Sequence, residues 1–113
     1  YLSALQYVDA MVGNSSSGLL EAPSFKIGTI NIGDRQKGRI MADSVINCCS
    51  NTIAINKAFS KLYSNDFINL LNKVENPYGN GKASKRVKEI IKNTNLNEIL
   101  KKSFYDLNIG EII

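Results

Sequence analysis

Histidine and tryptophan are missing from this chain, proline and cysteine occur twice each, and no apolar run is long. Without histidine, a serine nucleophile has no imidazole base within the chain, and the commonest metal ligand is absent. The two cysteines are neighbours, Cys48 and Cys49. Adjacent cysteines form a strained bridge at best, and two thiols alone complete no metal site. They fit a reduced, cytoplasmic setting, and no metal or cofactor is expected. A membrane span needs roughly eighteen consecutive apolar residues, and none occur. No secretory leader is evident. The chain opens at Tyr1 and runs directly into Leu2, Leu5 and Val8 at helical spacing, so it reads as a piece of something longer.

What is present is ordinary globular material. The 113 residues are 43% apolar and 21% charged, enough for one domain with a modest core. The formal charge is +4, and half of the fourteen basic residues fall between Lys82 and Lys102. Lysines opposite an apolar stripe usually form a solvated helix face. Tyr63, Tyr78 and Tyr105 are too scattered for a base-stacking platform. Neither a nucleic-acid nor a membrane partner is expected.

The chain is organised around Val12-Gly13-Asn14-Ser15-Ser16-Ser17-Gly18-Leu19-Leu20-Glu21-Ala22-Pro23. An apolar run ending at Val12 predicts a short buried strand, and Gly13 to Gly18 supply turn residues. A helix from Ser17 to Phe25 follows, with Pro23 tolerable only if that helix is short or bends. A helix N-terminus leaves about four backbone N–H groups unpaired and carries the positive end of the dipole, which suits an anion. Three serine hydroxyls add donors, two glycines permit close approach, and Glu21 is expected in the first helical turn, within reach of whatever the loop holds. A phosphate on the loop and a sugar hydroxyl on Glu21 is one reading. An ordinary Ser17 N-cap with an ordinary first-turn acid is the other. The Gly-x-x-x-x-Gly-Lys phosphate loop is absent.

Further along, Gly28-Thr29-Ile30-Asn31-Ile32 predicts a second strand, followed by the polar loop Gly33–Arg39 and a third strand over 44–49. The period then changes to 3.6. Ile55, Ala58, Phe59 and Leu62 form one helical stripe; Phe67, Leu70, Leu71 and Val74 form a second. Asn76 to Gly81 is a loop. A last helix from about Lys82 carries Ala83, Val87, Ile90 and Ile91 on one face, and Leu96 to Ile113 is ambiguous. Alternating strands and helices predict an α/β parallel sheet, with both polar loops at the carboxyl edge where ligands bind. Three short strands leave at least one edge unpaired, which points to more strands upstream.

Gly13-Asn14-Ser15-Ser16-Ser17-Gly18, Glu21-Ala22-Pro23-Ser24-Phe25 and Asn31-Ile32-Gly33-Asp34-Arg35-Gln36-Lys37-Gly38-Arg39 together resemble the C-terminal domain of UDP-N-acetylglucosamine 2-epimerases, the hydrolysing branch best. Asn76-Pro77-Tyr78-Gly79-Asn80-Gly81, followed by Ala83, fits that family's last loop, with Asn80 where the family usually carries an Asp-like residue. The resemblance covers most of positions 2 to 93. It implies a Rossmann-like parallel sheet forming the C-terminal half of a glycosyltransferase-B-type two-domain fold. Residues 1–81 would belong to the UDP-binding domain, and residues 82–113 to a helix and tail crossing back to the other domain.

Carried over by position, the resemblance places the UDP diphosphate on Ser15 and Ser16, with backbone help near Ser17 and Gly18. It puts the ribose hydroxyls on Glu21 and Arg35 near the nucleotide. Lys37 and Arg39 read as surface charges. The implied reaction eliminates UDP across C1–C2 and adds water, giving N-acetylmannosamine and UDP for sialic-acid-type sugars. The family's acid/base carboxylates lie in its first domain and its histidine precedes the start of this chain. No catalytic residue is therefore expected here, and the fragment alone should not turn substrate over. The resemblance further implies a homo-oligomer at full length. Three alternatives stand beside this reading: a UDP-2,4-diacetamido-trideoxyhexose substrate, a non-hydrolysing epimerase, or a glycosyltransferase of the same fold.

Overall fold

A computed structural model describes residues 1–97 and 100–101. They divide into a compact unit from Tyr1 to Asn80 and a second unit from Gly81 onward. The first contains β1 (Ala10–Gly13), α1 (Ser17–Leu20), β2 (Gly28–Ile32), β3 (Val45–Cys48), α2 (Thr52–Leu62) and α3 (Asn65–Leu71). Two 3-10 turns, Leu2–Gln6 and Ala22–Phe25, flank β1 and α1. The expected helix end at Tyr1–Val8 is therefore the tighter 3-10 form.

The sheet is parallel throughout, in the order β1-β2-β3. Ala10 pairs with Gly28 and Thr29 with Val45. Strand β2 is central and buried over Gly28–Asn31, which accounts for its β-branched, glycine-opened sequence. Period-two alternation sorts its side chains between two faces. Ile30 joins Ile46, Ala58, Leu62 and Phe67 in one core. On the other side Leu5, Ala22 and Ile27 form a second, with Met11 and Phe25 against it. Burying such a side chain stabilises by about 1.5–3 kcal/mol, so these clusters hold the sheet to its helices.

Caps fix where α2 and α3 begin. The Asn51 side chain accepts from the Ala54 amide at 2.9 Å, and Ser64 Oγ accepts from the Phe67 amide at 3.3 Å. Both predicted stripes fall on these helices, except that Val74 lies beyond α3, where it is still buried.

The expected single helix over 17–25 is instead one α-turn followed by a 3-10 turn. Pro23 has no N–H to donate and cannot continue an α-helical ladder, so α1 stops after Leu20. Lys26 ends the 3-10 turn in the left-handed region at φ 58°. Its ammonium hydrogen-bonds the Val74 carbonyl.

The second unit holds α4 (Ala83–Asn93), opened by Lys82 at φ 61°. Thr94 Oγ1 donates to the Ile90 carbonyl at 2.6 Å near its end. Val87, Ile90 and Ile91 are exposed. Of the tail from Leu96 to Ile113, most lies outside the described residues. Among the described residues no helix is long and apolar enough to cross a membrane.

Candidate functional site

The serine turn leaves the carboxyl end of β1. Ser15 Oγ accepts from the Ser17 amide at 3.3 Å, a weak local contact. The first backbone donors of the turn are Gly18, to Ser15 O at 3.3 Å, and Leu19, to Ser16 O at 2.9 Å. The amides of Ser15 and Ser16 lie ahead of these bonds. Ser16 occupies the N-cap position expected of Ser17, and its side chain makes no cap hydrogen bond. A one-turn helix sums few peptide dipoles, so any anion held here answers to local amides and hydroxyls rather than to a long macrodipole.

The three hydroxyls are not equivalent. Ser17 Oγ is hydrogen-bonded to the Tyr1 phenol. Ser15 is exposed and Ser16 half-buried. Gly18 is buried, and a Cβ there would sit 2.4 Å from Thr29 Cγ2. The absent side chain makes room for β2 packing, a role beyond the close ligand approach read from sequence. Gly13, at φ 146°, meets nothing within 4 Å of its Cβ position and keeps the loop side open.

Glu21 caps the C-terminus of α1 rather than lying in its first turn, and its amide donates to Ser17 O at 2.9 Å. Its Oε2 is buried without a hydrogen-bond partner among the described residues. A carboxylate oxygen accepts strongly when given a donor and is costly to bury without one.

The second polar loop leaves the carboxyl end of β2, on the same sheet edge. A turn closed by the Lys37 amide on Asp34 O at 2.8 Å exposes Arg35 and Lys37. Gln36 points inward instead, 2% exposed, and its Nε2 donates to the Asn14 carbonyl at 2.7 Å. That bond joins the two loops. Arg35 therefore belongs to a loop tied to the serine turn.

Strands β2 and β3 end over an open hollow. A cleft of about 380 Å³ is lined by Asn31, Asp34, Lys37, Arg39, Met41 and Asn47 among others. A neighbouring one of about 510 Å³ shares Gly33, Asp34 and Asn47 and reaches Cys48 and Cys49, which are free thiols. Asn31 and Asn47 face each other in register, with Asn31 Nδ2 donating to Asn47 Oδ1 at 2.7 Å. Asn76 bridges the end of α1 and the 3-10 turn that follows it. Its Nδ2 donates to Leu20 O at 2.8 Å and Ser24 Oγ at 2.7 Å, and Tyr78 Oη donates to Ile40 O at 2.9 Å.

Gln36, Thr29 and the Asn31–Asn47 pair were not singled out from the sequence as organising residues. For Thr29 and the two asparagines the available signal was a polar side chain within an apolar strand, which demands a partner, whereas Gln36 lies in a loop and carried no such signal.

A parallel α/β sheet with two linked polar loops at its carboxyl edge defines a Rossmann-like architecture. Residues 1–92 match the family described as UDP-N-acetylglucosamine 2-epimerase. The chain is 48% identical over 108 residues to the GDP/UDP-N,N'-diacetylbacillosamine 2-epimerase (hydrolyzing) of Campylobacter jejuni, covering 95% of this chain and 28% of that protein. It is 40% identical over 111 residues to the polysialic acid biosynthesis protein P7 of Escherichia coli, covering 95% and 28%. With the UDP-N-acetylglucosamine 2-epimerase of Neisseria meningitidis it shares 33% over 115 residues, covering 96% and 29%. The chain thus spans under a third of the length of these relatives. It belongs to the UDP-N-acetylglucosamine 2-epimerase family.

Proposed function

We propose that this chain is the nucleotide-holding part of a hydrolysing UDP-sugar 2-epimerase. The observation that carries the reading is the Gln36–Asn14 bond, which brings the serine turn and the Arg35 loop together at one sheet edge. In this reading Ser15 and Ser16 donate to the diphosphate, with the backbone near Ser17 and Gly18 assisting. Glu21 accepts from the vicinal ribose hydroxyls, which give its unpaired Oε2 the donor it lacks. Arg35 offsets the charge of the departing nucleotide.

The reaction removes the C2 proton, expels UDP from C1 to leave a C1–C2 double bond, and adds water across it. Hydroxide goes to C1 and a proton returns to the opposite face of C2, so a free 2-epimer and UDP leave. The acid and base belong to sequence outside this chain. Residues 1–81 form the UDP-binding domain, and the helix from residue 82 crosses back to the other domain of a two-domain, homo-oligomeric, cytoplasmic enzyme.

UDP-N-acetylglucosamine, yielding N-acetylmannosamine for sialic-acid-type sugars, is the first substrate to test. The names of the C. jejuni and Legionella pneumophila relatives, the latter 36% identical over 92 residues, favour UDP-N,N'-diacetylbacillosamine as a second. Full-length protein incubated with each sugar nucleotide, followed by proton NMR, decides between them. Free 2-epimer plus UDP is expected from one. A sugar that epimerises while still on UDP, or that is transferred to an acceptor, would overturn the hydrolysing assignment.

A further inference from the structure

We propose that Gln36 is a positioning residue that clamps the serine turn to the Gly33–Arg39 loop, so that both address one nucleotide diphosphate. The inference deepens the reading above and rests on it. Gln36 is 2% exposed in a loop whose neighbours Arg35 and Lys37 are exposed. Its backbone is held between two turn bonds, Lys37 N–H to Asp34 O at 2.8 Å and Arg39 N–H to Gln36 O at 3.2 Å. Its amide nitrogen reaches Asn14 O at 2.7 Å, directly before Ser15.

Two features separate this from simple packing. The contact needs a donor at the end of a three-carbon reach, and asparagine is one methylene short. Moreover, Gln36 Oε1 is buried with no partner among the described residues. An apolar side chain would fill the space without burying that unpaired acceptor, so the amide is retained for the bond its nitrogen makes.

The test is UDP titration into the full-length protein. Gln36→Met keeps the volume and removes the donor. We expect its UDP Kd to rise by roughly tenfold, the order of one lost hydrogen bond to a fixed loop. Amide exchange should accelerate over residues 14–18 but not over β2. Gln36→Glu supplies a readout that packing alone would not move. Its carboxylate faces the Asn14 carbonyl without a proton, whereas the protonated acid can donate. Its affinity deficit relative to wild type should therefore shrink on acidification.

An unchanged UDP Kd in Gln36→Met, with Ser16→Ala still weakening binding, overturns the clamp alone. Should Ser16→Ala and Glu21→Ala also leave the Kd unchanged, the nucleotide site itself is wrong. If Gln36→Met does not fold, a Gln36→Glu deficit that ignores pH overturns the clamp by itself.

Discussion

Thr29 donates its hydroxyl to the Gly18 carbonyl at 2.9 Å, while its methyl occupies the space a Gly18 side chain would need. One residue of β2 thus fixes the first turn of α1 by attraction on one side and exclusion on the other.

Replacing Gly18 by alanine should cost about 1–3 kcal/mol, because a Cβ would stand 2.4 Å from Thr29 Cγ2 in a close-packed interior. Urea unfolding measures the loss. Adding Thr29→Ser keeps the hydroxyl and deletes the methyl, so the double variant should recover much of the stability. A double variant no better than Gly18→Ala would mean that Thr29 Oγ1, 3.1 Å from the same Cβ position, and not the methyl, sets the cost.

Glu21 should trade stability for binding. Its Oε2 is buried without a partner, so Glu21→Ala is expected to hold or raise the melting temperature. The same change should weaken UDP by tenfold or more, since a hydrogen bond to a charged group contributes about 1.5–3 kcal/mol. Calorimetry with UDP and its 2′,3′-dideoxy analogue separates causes. The analogue should bind wild type and Glu21→Ala almost equally.

Arg35 is exposed, and its removal leaves no cavity. Arg35→Ala should therefore unfold at the wild-type urea concentration yet bind UDP about fivefold more weakly at low salt. The difference should narrow as salt screens the guanidinium. A deficit independent of salt would assign Arg35 a contact other than charge.

In α2, Leu62 is 2% exposed and Phe59 is 37% exposed. Leu62→Ala should cost about 2–5 kcal/mol through the cavity it leaves under β2. Phe59→Ala should cost less than half as much. Denaturant midpoints of the two variants compare them directly.

The sequence made β2 legible because five residues open on glycine and then mix β-branched side chains with a buried polar one. It made α2 and α3 legible because apolar residues recur at helical spacing. It misjudged α1. Pro23 signals a break, but only packing decides whether the chain bends or changes helix type, and here Ala22 and Pro23 are buried in the 3-10 form. Gln36 was legible only as one letter of a loop motif. Nothing local says that its amide reaches back to Asn14, since the partner is a backbone carbonyl that any residue supplies. Gly18 shows the same asymmetry. A glycine in a polar turn suggests ligand approach, while the tight neighbour, Thr29, is known only once β1 and β2 are paired.

The Asn76 side chain grips Leu20 and Ser24 from 56 and 52 residues further along the chain. During synthesis, Leu20 and Ser24 are therefore made long before the amide that steadies them. At about 5–20 residues per second, that interval is on the order of several seconds. The end of α1 and the 3-10 turn after it are complete in sequence early and complete in structure late, because their last side-chain hydrogen bonds form only after Asn76 has left the ribosome.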